Sequence, residues 1–292
     1  MKSILKFLAP LSLLLCLLYA ATGCSGGLGA IIRYDNAKKY TAAASGELTL
    51  PVNNLEVEWV SGEVNIEYYE GTSVKFSEVR SDGVTETDDY TMRYLLDQTD
   101  DTLHLKFAKS GVRNNNLSSK ALTVRIPRNT TLNSVEVETV SAETVVSVHA
   151  DACDIETVSG EIACRNASYG EIEAKTVSGT IAVKNVTVAR KTEIDSVSGD
   201  VVAAFVTLPV AVEAKSVSGD VTLCFPDAGF SVKFDTVSGT FYSGFNDAPK
   251  YETVTGGALV NAGSPSCHCT VKTVSGDLYV VKFVGDQTTD QK

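Results

Sequence analysis

Cys267 and Cys269, with His268 between them, are the residues whose types most resemble a metal site. Zinc is usually held by about four Cys, His or carboxylate ligands, and only three such residues stand together here. Neighbouring side chains of a β-strand point to opposite faces, so the two thiols would share one face while His268 points to the other. The spacing therefore predicts no metal site and leaves either a local oxidised pair or two free thiols. We predict no metal and no other cofactor.

A second group of candidate residues is acidic, and each member follows a recurring glycine. Stacked carboxylates can bind Ca²⁺, which prefers oxygen ligands, and a calcium-dependent polysaccharide lyase would combine such a pair with a basic residue. The alternative is a turn residue whose carboxylate accepts hydrogen bonds from backbone amides. No Arg or Lys accompanies the group, so we favour turn stabilisation, with Asp200 and Asp220 as stacked neighbours. The group consists of Glu161, Asp200, Asp220 and Asp277.

The remaining polar residues show no spacing that is typical of a catalytic site. After residue 27 the sequence contains no Gly-x-Ser-x-Gly pattern, and the match at residues 23–27 directly follows an apolar N-terminal run, so it does not have the strand–turn–helix context of a nucleophile elbow. His104 alternates with leucines and is expected to face away from a core, and His149 has no Cys or Ser in a recognisable catalytic arrangement. The acidic group Glu86, Asp88 and Asp89 lacks the ligand spacing of an EF-hand, which predicts a solvated loop. We therefore predict no catalytic residues and a protein that is not an enzyme.

The N-terminus has the pattern of a targeting segment. Lys2 and Lys6 flank the start of an almost wholly apolar run, Leu8–Tyr19, and small residues then lead to Cys24. This order resembles a bacterial lipobox, in which the cysteine becomes the lipidated N-terminus after cleavage. It predicts a signal peptide over residues 1–23, lipidation of Cys24 and anchoring to the extracytoplasmic face of the cell membrane. An ordinary signal peptide and an uncleaved anchor are the alternatives, because the apolar run is near the short end of what spans a bilayer.

The composition is that of a folded, acidic protein. The chain has 292 residues, of which 43% are hydrophobic and 21% charged, enough for one large or two small domains. Its formal net charge is −11, and loss of the two lysines of the signal peptide makes it −13, from 23 basic and 36 acidic residues. Such a charge argues against nucleic acid as a partner. Five cysteines remain besides a lipidated Cys24, and an odd number argues against a complete disulfide framework.

A tripeptide repeat dominates the second half of the chain. Val-Ser-Gly or a close variant occurs eight times, at steps of 18, 19, 20, 20, 20, 17 and 20 residues. A nearly fixed period of this length is typical of stacked-repeat proteins. The copies begin at Val140, Val158, Val177, Val197, Val217, Val237, Val254 and Val274.

Each copy of the tripeptide follows an alternating pattern. The third residue before the valine is apolar or small, the next is charged, and the one directly before the valine is Thr or Ser. Period-two alternation predicts a β-strand with one solvated face. A second strand after the glycine would place apolar residues inward, and the glycine is expected to supply a corner with positive φ. Two strands per coil of roughly 20 residues, each in register with the next coil, predict a parallel β-solenoid.

The charged residue two positions before each repeat valine also indicates how strands of successive coils align. In chain order its signs run −, −, +, −, +, −, −, +, so five of the seven neighbouring pairs are opposite. Opposite charges one strand apart attract by about 0.2 to 1 kcal/mol. We interpret the row as a solvated face with salt bridges between coils. Its members are Glu138, Glu156, Lys175, Asp195, Lys215, Asp235, Glu252 and Lys272.

The limits of the repeat define the expected domain organisation of an all-β chain. The region before the repeat is β-rich without an even period, and we expect it to cap the N-terminal end of the solenoid, where a strand edge would otherwise be unpaired. Within it, the polar stretches 80–90 and 113–120 are expected to be exposed. The predicted segments are a signal peptide (1–23), a tether (24–45), the cap (46–135), the solenoid (136–284) and a polar tail (285–292).

Three parts of the sequence together resemble the bacterial toastrack family. They are Glu-Trp-Val-Ser-Gly-Glu-Val at 58–64, Leu-Thr-Val-Arg-Ile-Pro at 122–127, and the Thr-Val-Ser-Gly-Asp type of repeat. These are β-strand-repeat proteins of the cell surface, often labelled adhesins, and the resemblance covers residues 40–284. It implies an envelope location and, for some members, an association with envelope-stress signalling. It implies no catalytic residues.

The expected function is that of a non-enzymatic, lipid-anchored surface module for interaction or adhesion at the bacterial envelope. Its expected partners are the membrane, through the N-terminal lipid, and an envelope protein or glycan. An accessory component of envelope-stress sensing is the first alternative. A calcium-dependent polysaccharide lyase is the third possibility.

Overall fold

The computed structural model describes residues 31–113, 118–226, 229–245, 257–260 and 265–283. Cys24 and the repeat copy at Val254 lie outside the described residues. Within them the protein is all-β, apart from one 3-10 turn at Ala37–Lys39. No helix in the described part of the chain is long and apolar enough to cross a bilayer.

Twenty strands are described. In the first half of the chain they are β1 (Thr41–Ala42), β2 (Ser45–Leu48), β3 (Asn54–Tyr69), β4 (Val74–Arg80), β5 (Arg93–Asp97), β6 (Thr102–Lys106), β7 (Lys120–Pro127) and β8 (Leu132–Ser147). The repeat region contributes β9 (Ala150–Thr157), β10 (Ile162–Arg165), β11 (Ser168–Thr176), β12 (Ile181–Ser196), β13 (Val201–Thr207), β14 (Ala211–Ser216) and β15 (Val221–Phe225). The last strands are β16 (Phe230–Asp235), β17 (Phe241–Ser243), β18 (Gly257–Val260), β19 (Cys267–Thr273) and β20 (Leu278–Lys282).

The repeat builds two parallel ladders that meet at the Val-Ser-Gly corner. The strand before the corner belongs to the first ladder, which runs through β8, β9, β11, the end of β12, β14, β19 and β16. The strand after the corner belongs to the second ladder, which runs through β8, β10, β12, β13, β15, β20 and β17. One strand from each ladder makes a rung. The predicted all-β fold with parallel pairing is therefore confirmed.

The rungs do not stack in chain order at the C-terminal end. The Ser275 amide donates to the carbonyl of Val217 at 3.0 Å, and the Ser238 amide donates to that of Val274 at 3.0 Å. The rung of residues 267–282 therefore lies between the rungs of 211–225 and 230–243. The expectation that the copy at Val237 stacks on the copy at Val217 is wrong, because any Val-Ser-Gly corner offers the same hydrogen-bonding groups to its neighbour.

The N-terminal end is inverted in the same way. The long strand β3 pairs with β8 on one side and with β6 and β7 on the other, although β6 and β7 lie between them in sequence. Antiparallel strands β5 and β4 cover the outer edges of β6 and β7. Residues 31–45, assigned to the tether from sequence, are held against this end, since Ile31 bridges Arg113 and β1 pairs with β5.

Close approach of the backbones, and not positive φ, explains the corner glycines of the repeat. Positive φ occurs among the described glycines only at Gly62, Gly83 and Gly111, so that expectation is wrong for the repeat. A Cβ added to Gly199 would lie 1.8 Å from the carbonyl oxygen of Gly179. The same clash, at 1.8 to 2.1 Å, recurs between the other corner glycines of successive rungs. At these positions only a residue without a side chain lets the corners stack at strand spacing, whereas Ala142 of the first copy lies within the continuous strand β8.

The interior of the stack is formed by the inward rows predicted from the alternation. Ile155, Ile194 and Val271 represent the row before the corner, and Ile181 and Leu223 the row after it; all are fully buried. At five of the corners the Thr or Ser before the valine is also buried and hydrogen-bonds to the glycine's amide or carbonyl. The Ser216 hydroxyl is buried without a hydrogen-bond partner among the described residues. The interior of the stack is therefore mainly apolar, and most of its polar corner groups are paired.

Lys120 corrects the expectation of an exposed loop over 113–120. It is the first residue of β7, and its ammonium lies 4.9 Å from the ring centroid of Trp59 and 4.1 Å from that of Phe107. Its ammonium also donates to the backbone carbonyls of Tyr90, at 2.8 Å, and Phe107. Polar composition predicted exposure here, but a lysine whose ammonium is supplied with acceptors can be buried.

Candidate functional site

A cleft of about 810 Å³ lies at the N-terminal end of the first ladder. We call it the N-terminal cleft. Its floor comes from β3 and β6, one wall from the segment around the 3-10 turn, and the rest from β5 and the turn after β6. The lining residues are Arg33, Tyr34, Asp35, Asn36, Lys39, Tyr40, Glu56, Glu58, Leu95, Asp97, His104, Lys106, Ser110 and Gly111.

The floor is a compact ionic network on the solvated face of β3 and β6. Glu56 and His104 are register partners, and the carboxylate lies 2.9 Å from His104 Nδ1. Lys106 Nζ lies 2.5 Å from both Glu56 and Glu58. The hydrogen bond to His104, together with Lys106, lowers the pKa of Glu56 to about 2. Both floor carboxylates are thus compensated from within the protein.

Two tyrosines form the wall of the cleft. The rings of Tyr34 and Tyr40 are 4.8 Å apart between centroids and tilted by 59°. The Tyr34 hydroxyl donates to the Ala108 carbonyl and accepts from the Ser110 amide, both at 3.1 Å. Burial raises the pKa of both phenols. Tyr34 is therefore fixed by the scaffold, whereas the Tyr40 hydroxyl has no hydrogen-bond partner among the described residues.

The rim of the cleft carries charges of both signs. Arg33, Asp35 and Lys39 are exposed, and none of them makes an ion pair with another described residue. Asn36, between them, adopts a left-handed conformation with φ 53° and starts the 3-10 turn. The turn thus places charged groups without an ion-pair partner among the described residues above an aromatic wall. This arrangement suits recognition of a polar ligand more than acid–base chemistry.

An acidic face continues from the cleft along the first ladder. Glu56 is followed in register by Glu136, Asp154, Glu173, Glu193 and Glu213 on successive rungs. Two residues further along each strand lies the charged row predicted from sequence. The missed acidic row had a signal, because the residue four before the valine is acidic in each of these repeat copies.

The negative charges at the centre of the acidic face are only partly neutralised by neighbouring cations. Burial and the neighbouring carboxylates of Glu58 and Glu136 raise the pKa of Glu138 to about 7. Burial and the charge of Glu173 raise the pKa of Asp154 to about 7. Carboxylate oxygens of Asp154, Glu156 and Glu173 lie within 4.8 Å of one another and could hold a cation. Lys175 already pairs with two of them, Glu156 at 2.7 Å and Glu173.

The predicted salt bridges between coils are present in part. Lys175 reaches Glu156, and Lys215 reaches Asp195 at 3.2 Å on the preceding rung. The alternation then fails, because the inverted stacking makes Lys272 the register partner of both Lys215 and Asp235. Like charges therefore meet at one step that chain order predicts to be favourable.

Three of the four acidic residues after the corner, Asp200, Asp220 and Asp277, accept backbone amides at the corners, as predicted. Asp200 Oδ1 accepts the Asp220 amide at 3.0 Å, and Asp220 Oδ1 accepts the Asp277 amide at 2.8 Å. Asp277 Oδ1 accepts the amide of Thr240 at 2.7 Å. Asp200 and Asp220 are stacked neighbours, and these oxygens are committed to the backbone of the next rung. Glu161 is exposed on an earlier rung.

The cysteine cluster has the geometry expected of a strand. Cys267 and Cys269 are buried with their sulfurs 3.5 Å apart, and both are free thiols. His268 is exposed on the other face, where Nδ1 lies 3.0 Å from the Ser231 hydroxyl. The three side chains do not converge, so they form no common metal site.

The remaining residues singled out from sequence are held by local contacts. His104 faces away from its leucine neighbours, as expected, and joins the cleft floor. His149 Nδ1 accepts the Ser168 amide at 2.9 Å. In the predicted acidic loop, Glu86 is exposed, Asp88 binds Arg80 at 2.9 Å, and Asp89 pairs with Lys109 at 2.9 Å.

These features define a class of all-β proteins in which parallel rungs stack through tripeptide corners. The sequence profile of the Toastrack DUF4097 family matches residues 52–201 and 144–281. The chain belongs to this family. No curated protein shows significant sequence similarity to it.

Two crystal structures show distant similarity. One, from Clostridium sporogenes and provisionally described as a cell adhesion protein, has 11% identity and a TM-score of 0.33, covering 82% of this chain and 98% of its own. The other, from Bacteroides fragilis and provisionally described as an adhesin, has 13% identity and a TM-score of 0.42, covering 81% and 96%. Similarity at this level carries no information about ligands.

Proposed function

We propose that this protein is a non-enzymatic, lipid-anchored interaction module of the bacterial envelope. In this proposal the rungs form a rigid parallel β-solenoid with an N-terminal cap, Cys24 carries the lipid, and the N-terminal cleft contacts an envelope protein or glycan. The observation that carries the proposal is a set of polar groups at the cleft that have no ion-pair or hydrogen-bond partner for their side chains among the described residues. They are Arg33, Asp35, Lys39 and the Tyr40 hydroxyl.

The geometry of the other candidate sites supports binding over catalysis. Asp200 and Asp220 each use one carboxylate oxygen to accept a backbone amide of the next rung, which supports a structural role for the pair. The floor carboxylates Glu56 and Glu58 are engaged by Lys106. A rigid stack that holds exposed groups at one end is suited to presenting a fixed contact surface. Because Arg33 follows Cys24 by nine residues, that surface would lie close to the membrane.

The test is capture of envelope components by the purified full chain, compared with a Tyr40→Ala variant. We expect one or more components to be retained by the parent and lost from Tyr40→Ala. Tyr242→Ala, which removes an exposed tyrosine at the opposite end of the stack, is the matched control and should retain them. Equal retention by all three proteins would show that Tyr40 and its cleft do not bind the captured components.

Anchoring is tested separately with Cys24→Ala. This variant should leave the membrane fraction or accumulate as unprocessed precursor. Unchanged processing and membrane attachment would show that the apolar N-terminal segment is the anchor.

A further inference from the structure

We propose that the N-terminal cleft binds a neutral oligosaccharide, with one sugar ring packed on Tyr40. This inference rests on the proposed function and names the ligand class of the same site. It follows from what the floor, the rim and the wall of the cleft leave available to a ligand.

The floor argues against a cation as the ligand. Glu56 and Glu58 point into the cleft, but Lys106 lies 2.5 Å from each, and His104 lies 2.9 Å from Glu56. A metal ion would have to displace a lysine that is itself 4% exposed. The network therefore offers a ligand fixed hydrogen-bonding groups, and its negative charge is already compensated by Lys106.

The rim argues against a strongly charged ligand. Arg33, Asp35, Lys39 and Asp97 all line the cleft. Hydrogen bonds from Thr99 lower the pKa of Asp97, and the charge of Lys39 helps to lower it. A polyanion would meet Asp35 and Asp97, and a polycation would meet Arg33 and Lys39. A neutral ligand rich in hydroxyl groups can instead donate to the carboxylates and accept from the cations at the same time.

The wall supplies the surface that a sugar ring needs. Tyr40 is half-buried, so its ring is held in place while its hydroxyl stays without a partner among the described residues. The C–H face of a pyranose packs on such a ring, and its equatorial hydroxyls project toward polar neighbours. Tyr34 is already hydrogen-bonded to Ala108 and Ser110, so it acts as a positioning residue for the Tyr40 ring.

The size of the cleft favours more than one sugar unit. Its volume of about 810 Å³ lies in the upper part of the range of ligand pockets, about 300 to 1,000 Å³. An apolar ligand of that size would cover the rim charges Arg33, Asp35 and Lys39 without giving them hydrogen bonds, which is costly. An oligosaccharide fills the space and satisfies the lining.

The test is calorimetric titration of the full chain in detergent with four soluble tetrasaccharides. Cellotetraose, tetra-N-acetylchitotetraose and maltotetraose are neutral probes, and tetragalacturonate is the anionic probe. We expect at least one neutral probe to bind at concentrations below about 5 mM, a typical range for weak ligands. Absence of binding by all neutral probes, or tighter binding of tetragalacturonate than of any of them, overturns the proposal.

Variants of Tyr40 test the position of the sugar. Tyr40→Ala should weaken binding by about tenfold, the loss of one aromatic contact, and Tyr40→Phe by less, because the ring remains. Tyr242→Ala should bind as the parent does. An unchanged affinity in Tyr40→Ala would also overturn the proposal, and melting curves of each variant confirm that it is folded.

The inference and the proposed function can fail separately. If Tyr40→Ala loses a captured envelope protein while no neutral tetrasaccharide binds the parent, the interaction module stands and the oligosaccharide is wrong. If neither a component nor a sugar depends on Tyr40, both are wrong for this cleft.

Discussion

Lys120 Nζ lies 2.7 Å from Glu78 Oε2, and the two side chains are 2% and 1% exposed. The pair joins the antiparallel strands β4 and β7 beneath Trp59. Burial lowers the pKa of Lys120 to about 8, against the opposing effect of Glu78. A buried ion pair of this kind is held as a unit, since either charge alone would be left without compensation.

Replacing Lys120 by Met should therefore cost about 3 to 5 kcal/mol of unfolding free energy, because Glu78 would remain buried and unpaired. The double variant Lys120→Met with Glu78→Leu should recover part of the loss, because no charge is left unpaired although the Met92 amide loses its acceptor. Denaturant unfolding of the two variants and the parent measures the difference. A double variant less stable than Lys120→Met alone would contradict this account of the pair.

Gly199→Ala tests the close approach of the corners. The new Cβ would lie 1.8 Å from the Gly179 carbonyl oxygen, so we expect a loss of about 3 kcal/mol or more. Because rungs couple mainly to their neighbours, hydrogen exchange should rise first around residues 175–222. Gly244→Ala is the control, since its nearest contact is 3.7 Å. Equal melting temperatures for both variants would refute the stacking explanation.

The acidic face predicts a pH dependence of stability. The pKa values of Glu138 and Asp154 are raised to about 7 by burial and neighbouring carboxylates, from ordinary values near 4. The folded protein then binds more protons than the unfolded chain between about pH 4 and 7, so stability should fall as pH rises through this window.

Melting temperatures at pH 5 and pH 8 measure this effect. Glu138→Gln should reduce the difference, whereas Glu161→Gln, an exposed carboxylate on another rung, should leave it unchanged. Below this range the sign reverses, because the pKa of Glu56 is lowered to about 2 and its contribution is lost as pH falls from about 4.5 toward 2. A parent that melts higher at pH 8 than at pH 5 would contradict the prediction.

Engineered disulfides test the inverted stacking. Ala211 and His268 are register partners, and Ser231 is the next partner of His268. Ala211→Cys with His268→Cys should cross-link, because neighbouring strands bring Cα atoms within about 6 Å. Ala211→Cys with Ser231→Cys should not, since two strand spacings separate them by about 9.6 Å. Peptide mapping without reductant distinguishes the pairs, and the reverse outcome would restore chain order.

The local structure could be predicted because it follows from period-two alternation. The inward rows through Ile155 and Leu223, the outward charged row and the turn-stabilising role of Asp200 all depend on residues close together in sequence. The stacking order could not, because each Val-Ser-Gly corner is an equivalent neighbour for every other. The cleft was missed because residues 33–40, 56–58 and 104–111 meet only after β3 pairs with β6, and no spacing links them.

The inverted order at the C-terminal end constrains how the molecule is completed. A chain that emerges N-terminus first makes residues 230–243 before residues 267–282, yet these earlier residues acquire their final neighbour only when the later ones arrive. The rung of residues 267–282 must therefore insert between two rungs that are synthesised before it. Synthesis or export that stops before residue 267 leaves both flanking strand edges open, exposed to pairing with another chain.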